Sequence, residues 1–375
     1  MEEPPSFHWY LKIIQFTCTT KMIPFNWNPK TRRFLPAGRR KLREKFLIKF
    51  VEVVLFSFTI FSFFRLLANI GKDRTEFPLF MKVVNISWLI ASVVITIVSV
   101  QNNILRNDVM EYGNTLMAKL TKNGIAQDVN TLWTAIFLLV LNPVPHALVA
   151  SHSPCAPNLL SSIVLDCRAI NDRVLDGEII TKVLLAVWES YFMSIIFFVA
   201  FVEWSFVYLG VSLMTQELDS IREKKIQFTD SVDTFVAIKR IMHLLNCALH
   251  PYLAIFSILI LAICSVLLFG TIRLWDEDIL AITVFPFCAV RCGFETFSQI
   301  MIGGKVKCAS GNLLHFWAMD PVLVKEKWAR KAFKCWAKSG VKVKAGDFYA
   351  FSRHKTADSI HDFIAETLDF LVTFY

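Results

Sequence analysis

Residues 30–70 read KTRRFLPAGRRKLREKFLIKFVEVVLFSFTIFSFFRLLANI, a dense basic run that passes directly into an apolar stretch long enough to cross a bilayer. Lys and Arg gather on the cytoplasmic flanks of membrane spans because they resist translocation. Residues 1–45 carry ten Lys/Arg against three Asp/Glu, and a second block, residues 302–356, carries twelve against three. The rest of the chain is acidic on balance. Both blocks are therefore expected to face the cytosol, with an even number of spans between them.

Composition agrees with a membrane protein. Of 375 residues 55% are apolar and 19% charged, against about 45–50% and 25% in a soluble domain. The net charge of +9 does not form the stripe on a folded domain that nucleic acid requires, so no nucleic-acid partner is expected. No internal repeat is visible. No His-rich cluster, Gly-rich phosphate loop or Gly-x-Ser-x-Gly motif occurs, so neither an enzyme nor a cofactor is expected. Cys288 and Cys292 lie four apart in an apolar run without His partners, which excludes a zinc spacing.

About 20 apolar residues cover the hydrocarbon core as a helix. Six such runs occur at residues 46–70, 83–100, 132–150, 183–213, 252–272 and 279–301, and a shorter, more polar one at 359–375. The third contains Asn142-Pro143-Val144-Pro145 and is expected to kink or end there. The fourth is over-long and should tilt or project beyond the bilayer. The N-terminus, Met-Glu-Glu-Pro-Pro, has no basic n-region and is not a cleaved signal peptide.

The expected fold is thus an all-α membrane protein, a seven-transmembrane helix bundle with a cytoplasmic N-terminus and an extracellular C-terminus. Its parts are a cytoplasmic tail (1–45), a six-span bundle (46–301), a cytoplasmic basic segment (302–356) and a seventh, candidate pore-lining helix (357–375). The connector RLWDED at 273–278 suits an outer turn. A G-protein-coupled receptor would have the opposite orientation and a basic connector there. A multi-span transporter is the stronger alternative, although the matched halves common in transporters are absent.

The last helical run carries Asp358, Asp362, Glu366, Asp369 and Thr373 at steps of four, four, three and four, which places them on one face. A carboxylate at membrane depth costs on the order of 2.5–3.5 kcal/mol unless it faces water or a partner. In a symmetric oligomer the stripe becomes stacked acidic rings that favour cations. Glu366, Asp369, Thr373 and Asp362 are the candidate pore-lining residues; alternatively the helix starts later, and Asp358 and Asp362 form a solvated first turn. Arg291 and Glu295 lie four apart on one helix and can neutralise each other. Glu203 is expected to reach water at the inner end of its span.

Aromatic side chains in the outer halves of the spans suit a small apolar ligand. Trp188, Tyr191, Phe285 and Phe287 are the candidates; interfacial anchoring and helix packing are the competing explanations. Cys155 and Cys167 both fall in the expected outer loop, the oxidising side, and form a candidate disulfide.

The closing segment resembles that of the insect-type chemoreceptor superfamily, the arthropod odorant and gustatory receptors. In that family a Gly-x-Phe/Tyr element follows a basic stretch and precedes a last span that ends near the C-terminus. Here residues 341–349 read VKVKAGDFY, with Gly346 and Phe348-Tyr349 matching, and Leu371-Val372-Thr373-Phe374-Tyr375 closes the chain. Asn26-Trp27-Asn28 and the run 239–252 are also similar. The gustatory signature, a Thr-Tyr pair followed by hydrophobics and Gln-Phe, is incomplete, which points to a non-insect arthropod lineage. The resemblance implies a tetrameric ligand-gated cation channel of the plasma membrane, homomeric or assembled with a co-receptor subunit. It also implies a small-molecule tastant or odorant bound in the outer half of each bundle.

Overall fold

Each apolar run becomes a helix, the element that satisfies its own backbone hydrogen bonds in hydrocarbon. The computed structural model describes residues 4–37, 42–73, 75–123, 129–156, 159, 161–165, 167, 179–276, 279–345 and 349–373. In chain order the elements begin with α1 (Pro5–Thr19), β1 (Phe25–Asn28), β2 (Arg33–Pro36), α2 (Leu42–Asn69), α3 (Leu79–Ile104) and α4 (Arg106–Asn123). There follow α5 (Val129–Leu141), α6 (Pro143–His152), α7 (Ser161–Val164), α8 (Ile179–Glu223), α9 (Phe228–Ala248) and α10 (His250–Arg273). The last are α11 (Ile279–Ala318), α12 (Pro321–Lys325), α13 (Lys327–Ser339), β3 (Lys344–Ala345), β4 (Tyr349–Ala350) and α14 (Arg353–Thr373).

Among the described residues six helices are long and apolar enough to cross a membrane: α2, α3, α5 with α6, α8, α10 and α11. This is the architecture of a multi-pass membrane protein. The expected break in the third span falls at Asn142, between α5 and α6, because Pro143 cannot donate the next backbone hydrogen bond. α14 is long enough, at 21 residues, but its four carboxylates keep it out of that set.

α10 lies centrally, packed against α3, α11 and α14, while α8 packs on α6 and α11. α2 leans on α3 and turns Phe46, Phe50, Phe56, Phe63 and Phe64 outward, which suits lipid. α8 and α11, at 45 and 40 residues, reach about 68 and 60 Å, roughly twice the hydrocarbon thickness. Their excess length projects at one end, where α4 packs against α9 and α8. There Asp320 accepts the Phe228 N–H at 2.9 Å. Trp317, Trp336 and Phe228 close an aromatic cluster that seats α13 on α9.

The all-α expectation misses two antiparallel hairpins, β1 with β2 and β3 with β4. Each is held at its edge by one asparagine. Asn114 of α4 accepts the Phe34 N–H at 2.6 Å and donates to the Phe34 carbonyl at 3.1 Å. Asn246 of α9 does the same for the strand before α14, accepting from the Lys344 N–H at 2.8 Å and donating to the Lys342 carbonyl at 3.1 Å. Asn26-Trp27-Asn28 is therefore part of the first hairpin, whereas the 239–252 stretch ends α9, begins α10 and holds the second hairpin through Asn246. Gly346, Phe348, Phe374 and Tyr375 lie outside the described residues.

Both basic blocks thus lie at the end of the bundle where α8 and α11 run on past the spans. At the opposite end, between α6 and α8, Cys155 and Cys167 are joined by a disulfide with Cα atoms 5.8 Å apart.

Candidate functional site

On α8, Glu189, Phe192, Met193 and Ile196 repeat at i, i+3, i+4 and i+7 and are all buried, so this face turns into the bundle. Facing it are Ser87, Trp88 and Ala91 of α3, Ile260, Ile263 and Leu267 of α10, and Cys288, Arg291 and Glu295 of α11. Between them lies a cavity of about 60 Å³, measured as the space open to water centres, several times the roughly 10–15 Å³ that one water needs. It sits in the half of the bundle away from the basic blocks. Apolar walls with a few polar groups are the usual chemistry of a small-molecule site.

The polar groups are fixed by their neighbours. Arg291 donates to Glu295 at 2.9 Å, as its spacing predicts, and its guanidinium stacks 4.3 Å from the Phe197 ring centroid. The Trp88 indole N–H donates to His146 Nδ1 at 2.6 Å, and the other ring nitrogen lies 3.9 Å from Glu189. Glu189 in turn accepts the Ser161 backbone N–H at 2.7 Å. A buried carboxylate inside the bundle is thereby paired from two sides, which its burial demands.

Further toward the basic end the core remains polar. Glu203 is buried and accepts from Asn102 of α3 at 2.7 Å; it does not reach water as expected, because it lies inside the bundle. Gln299 donates to the Tyr252 hydroxyl at 2.7 Å, and the Tyr252 N–H donates to Gln101 at 2.8 Å.

α10 separates the cavity from α14. Ile263 and Leu267 face the cavity, whereas Ser265 donates to Glu366 of α14 at 3.2 Å. α14 packs through Thr367, Phe370 and Leu371 and leaves Asp362, Glu366 and Asp369 exposed. Thr373 closes the same helix.

The four aromatic candidates are not brought together. Trp188 and Tyr191 are 57% and 54% exposed on the outward side of α8. Phe285 is buried against Phe80, ring centroids 5.2 Å apart, and Phe287 is half-buried on α11; none of the four lines the cavity. Aromatic content alone does not distinguish a lipid-facing ring from a cavity wall. The polar residues within apolar runs, Asn142, Arg291 and Glu295, were the better signal. Among the described residues no cluster of His, Cys, Asp or Glu is arranged to hold a metal.

No family model and no curated protein matches the sequence. Solved structures do match the fold. The insect olfactory receptor OR5 from Machilis hrabei in complex with eugenol superposes with a TM-score of 0.65 at 13% identity, covering 99% of this chain and 100% of that one. A second structure of the same receptor superposes with a TM-score of 0.61 at 12% identity, covering 98% of this chain and 99% of that one. Over essentially its whole length, and not only in its closing residues, this chain has the fold of the insect olfactory receptors.

Proposed function

We propose that the chain is a chemosensory receptor of the insect type that is itself a ligand-gated cation channel. The observation that carries this is the whole-length likeness in fold to a receptor solved with a small aromatic ligand. An odorant or tastant would occupy the cavity between α3, α8, α10 and α11. The working unit would be a tetramer in the plasma membrane, homomeric or completed by a co-receptor subunit.

In this reading α14 is the seventh crossing, and Asp362, Glu366, Asp369 and Thr373 line the ion path. Residues 1–45 and 302–356 are cytoplasmic and the C-terminus is outside. Supporting it are the placement of both basic blocks at one end of the bundle, the disulfide at the other, and the exposed carboxylates of α14. The coupling would run through α10, which carries cavity residues Ile263 and Leu267 around the Ser265 contact to Glu366. A ligand gates only by binding one arrangement of these helices better than the other.

The test is whole-cell recording from cells expressing the chain, alone and with a co-receptor, while G-protein signalling is blocked. Ligand-evoked cation currents that persist support the proposal. Saturable uptake without conductance overturns it in favour of a transporter.

A further inference from the structure

The cavity's unsatisfied polar atoms define what a ligand must offer. Ser87 Oγ, Asn142 Nδ2 and Arg291 Nε are buried without a hydrogen-bond partner, and all three residues line the cavity. A guanidinium Nε and an amide nitrogen only donate, and a hydroxyl can donate. Of the neighbouring polar groups, Glu295 accepts from Arg291 through Oε1, and the Trp88 N–H is taken by His146; the three unpartnered buried atoms are all able to donate. The open demand is therefore for acceptors.

Charge narrows the class further. Arg291 is neutralised by Glu295 at 2.9 Å, so the site carries no net charge for an ionic ligand to balance. A carboxylate would add a buried anion, and an ammonium would meet three donors and have to share Glu295 with Arg291; both pay desolvation without a free counter-charge. Resting on the reading of this cavity as the ligand site, we infer that it selects neutral molecules bearing a hydrogen-bond-accepting oxygen, such as ketones, aldehydes and esters. Hydrocarbons, amines and carboxylates of the same shape bind more weakly.

Four probes of nearly one shape test this: acetophenone, α-methylstyrene, 1-phenylethylamine and benzoate. Ligand-induced thermal stabilisation of the purified full chain reads binding whether or not a current flows. Acetophenone is expected to act at concentrations at least about tenfold lower than the other three, a 1.4 kcal/mol difference. The Arg291→Met, Glu295→Gln double variant removes the donor without stranding a buried carboxylate, and is expected to bring acetophenone down to the level of α-methylstyrene. The wild-type series stands alone if that variant does not fold. Ala91→Phe fills the cavity and should abolish binding of every probe. If α-methylstyrene binds as well as acetophenone and Ala91→Phe abolishes both, the selectivity is overturned while the cavity remains the ligand site. If Ala91→Phe changes nothing, the cavity is not the site and both readings fall. No stabilisation by any probe at millimolar concentration also overturns the inference.

Discussion

Glu189 has no solvent to fall back on. It is 1% exposed, and its partners come from two other elements, the Ser161 N–H at 2.7 Å and the His146 ring at 3.9 Å. Glu189→Ala strands a buried N–H and leaves His146 facing an empty space. The expected loss is about 1–3 kcal/mol, visible as a lower melting temperature in detergent, whereas Glu189→Gln keeps an acceptor and costs less. Gly210 makes a sharper test. A Cβ there would lie 1.9 Å from the Tyr112 hydroxyl oxygen, which donates to the Phe206 carbonyl at 2.8 Å. Gly210→Ala should cost roughly 1–3 kcal/mol by overpacking. Combined with Tyr112→Phe, which removes the obstructing oxygen, it should cost less than the two single losses together. A melting series of the three variants reads this directly, and strict additivity would show that the contact is not the cause. At this scale the sequence displayed the charged residues and hid their partners. Arg291 and Glu295 were legible because they share a helix turn; Trp88, His146 and Glu189 were not, because three separate segments bring them together.

The proposed channel reading rests more on α14 than on any other single element. It presents Asp362, Glu366 and Asp369 to the outside of the chain and packs its other side on α10 and α11. If that acidic side lines a cation path, Glu366→Lys with Asp369→Lys should lower cation permeability several-fold and move the reversal potential toward that of chloride. Recordings across a sodium chloride gradient measure this, and an unchanged reversal potential would remove α14 from the pore. α13 makes a different prediction. Its Trp336 and Phe333 rings pack against Phe228, with centroids 5.6 and 6.2 Å away. Phe228→Ala should cost about 3–5 kcal/mol and loosen the Lys-rich helix, so that trypsin cuts within residues 327–339 sooner than in the wild type. The apolar cores of the long helices were legible from hydropathy, including the break at Asn142, because an apolar run of that length has one solution in a bilayer; the polar extensions of α8 to Glu223 and α11 to Ala318 were not. α4, α9 and the two hairpins were not. Their sequences are too polar for hydropathy to dictate an element, and the two hairpins depend on Asn114 and Asn246 reaching backbone far along the chain.

At the scale of the whole molecule the basic residues and the disulfide oppose each other. The hairpin before α2, the helices α4 and α9, and the segment from α12 to β4 surround the projecting ends of α8 and α11. Cys155 and Cys167 close the loop at the far end. Lys and Arg resist translocation, whereas disulfides persist in oxidising compartments, so the proposed orientation predicts both placements. A bundle entering from the cytosol and crossing six times returns its second basic block to the cytosol, and α14 then leads outward if it crosses. An epitope tag at the N-terminus is therefore expected to stain only after permeabilisation, and one after Tyr375 on intact cells. A C-terminal tag that stains only after permeabilisation, with the N-terminal tag also inside, would mean that α14 turns back without crossing. The four carboxylates would then be a solvated cytoplasmic face rather than a pore wall. Both tags reversed would set the disulfide in a reducing compartment and the basic blocks outside, and the channel would have to be rebuilt from the opposite side of the membrane.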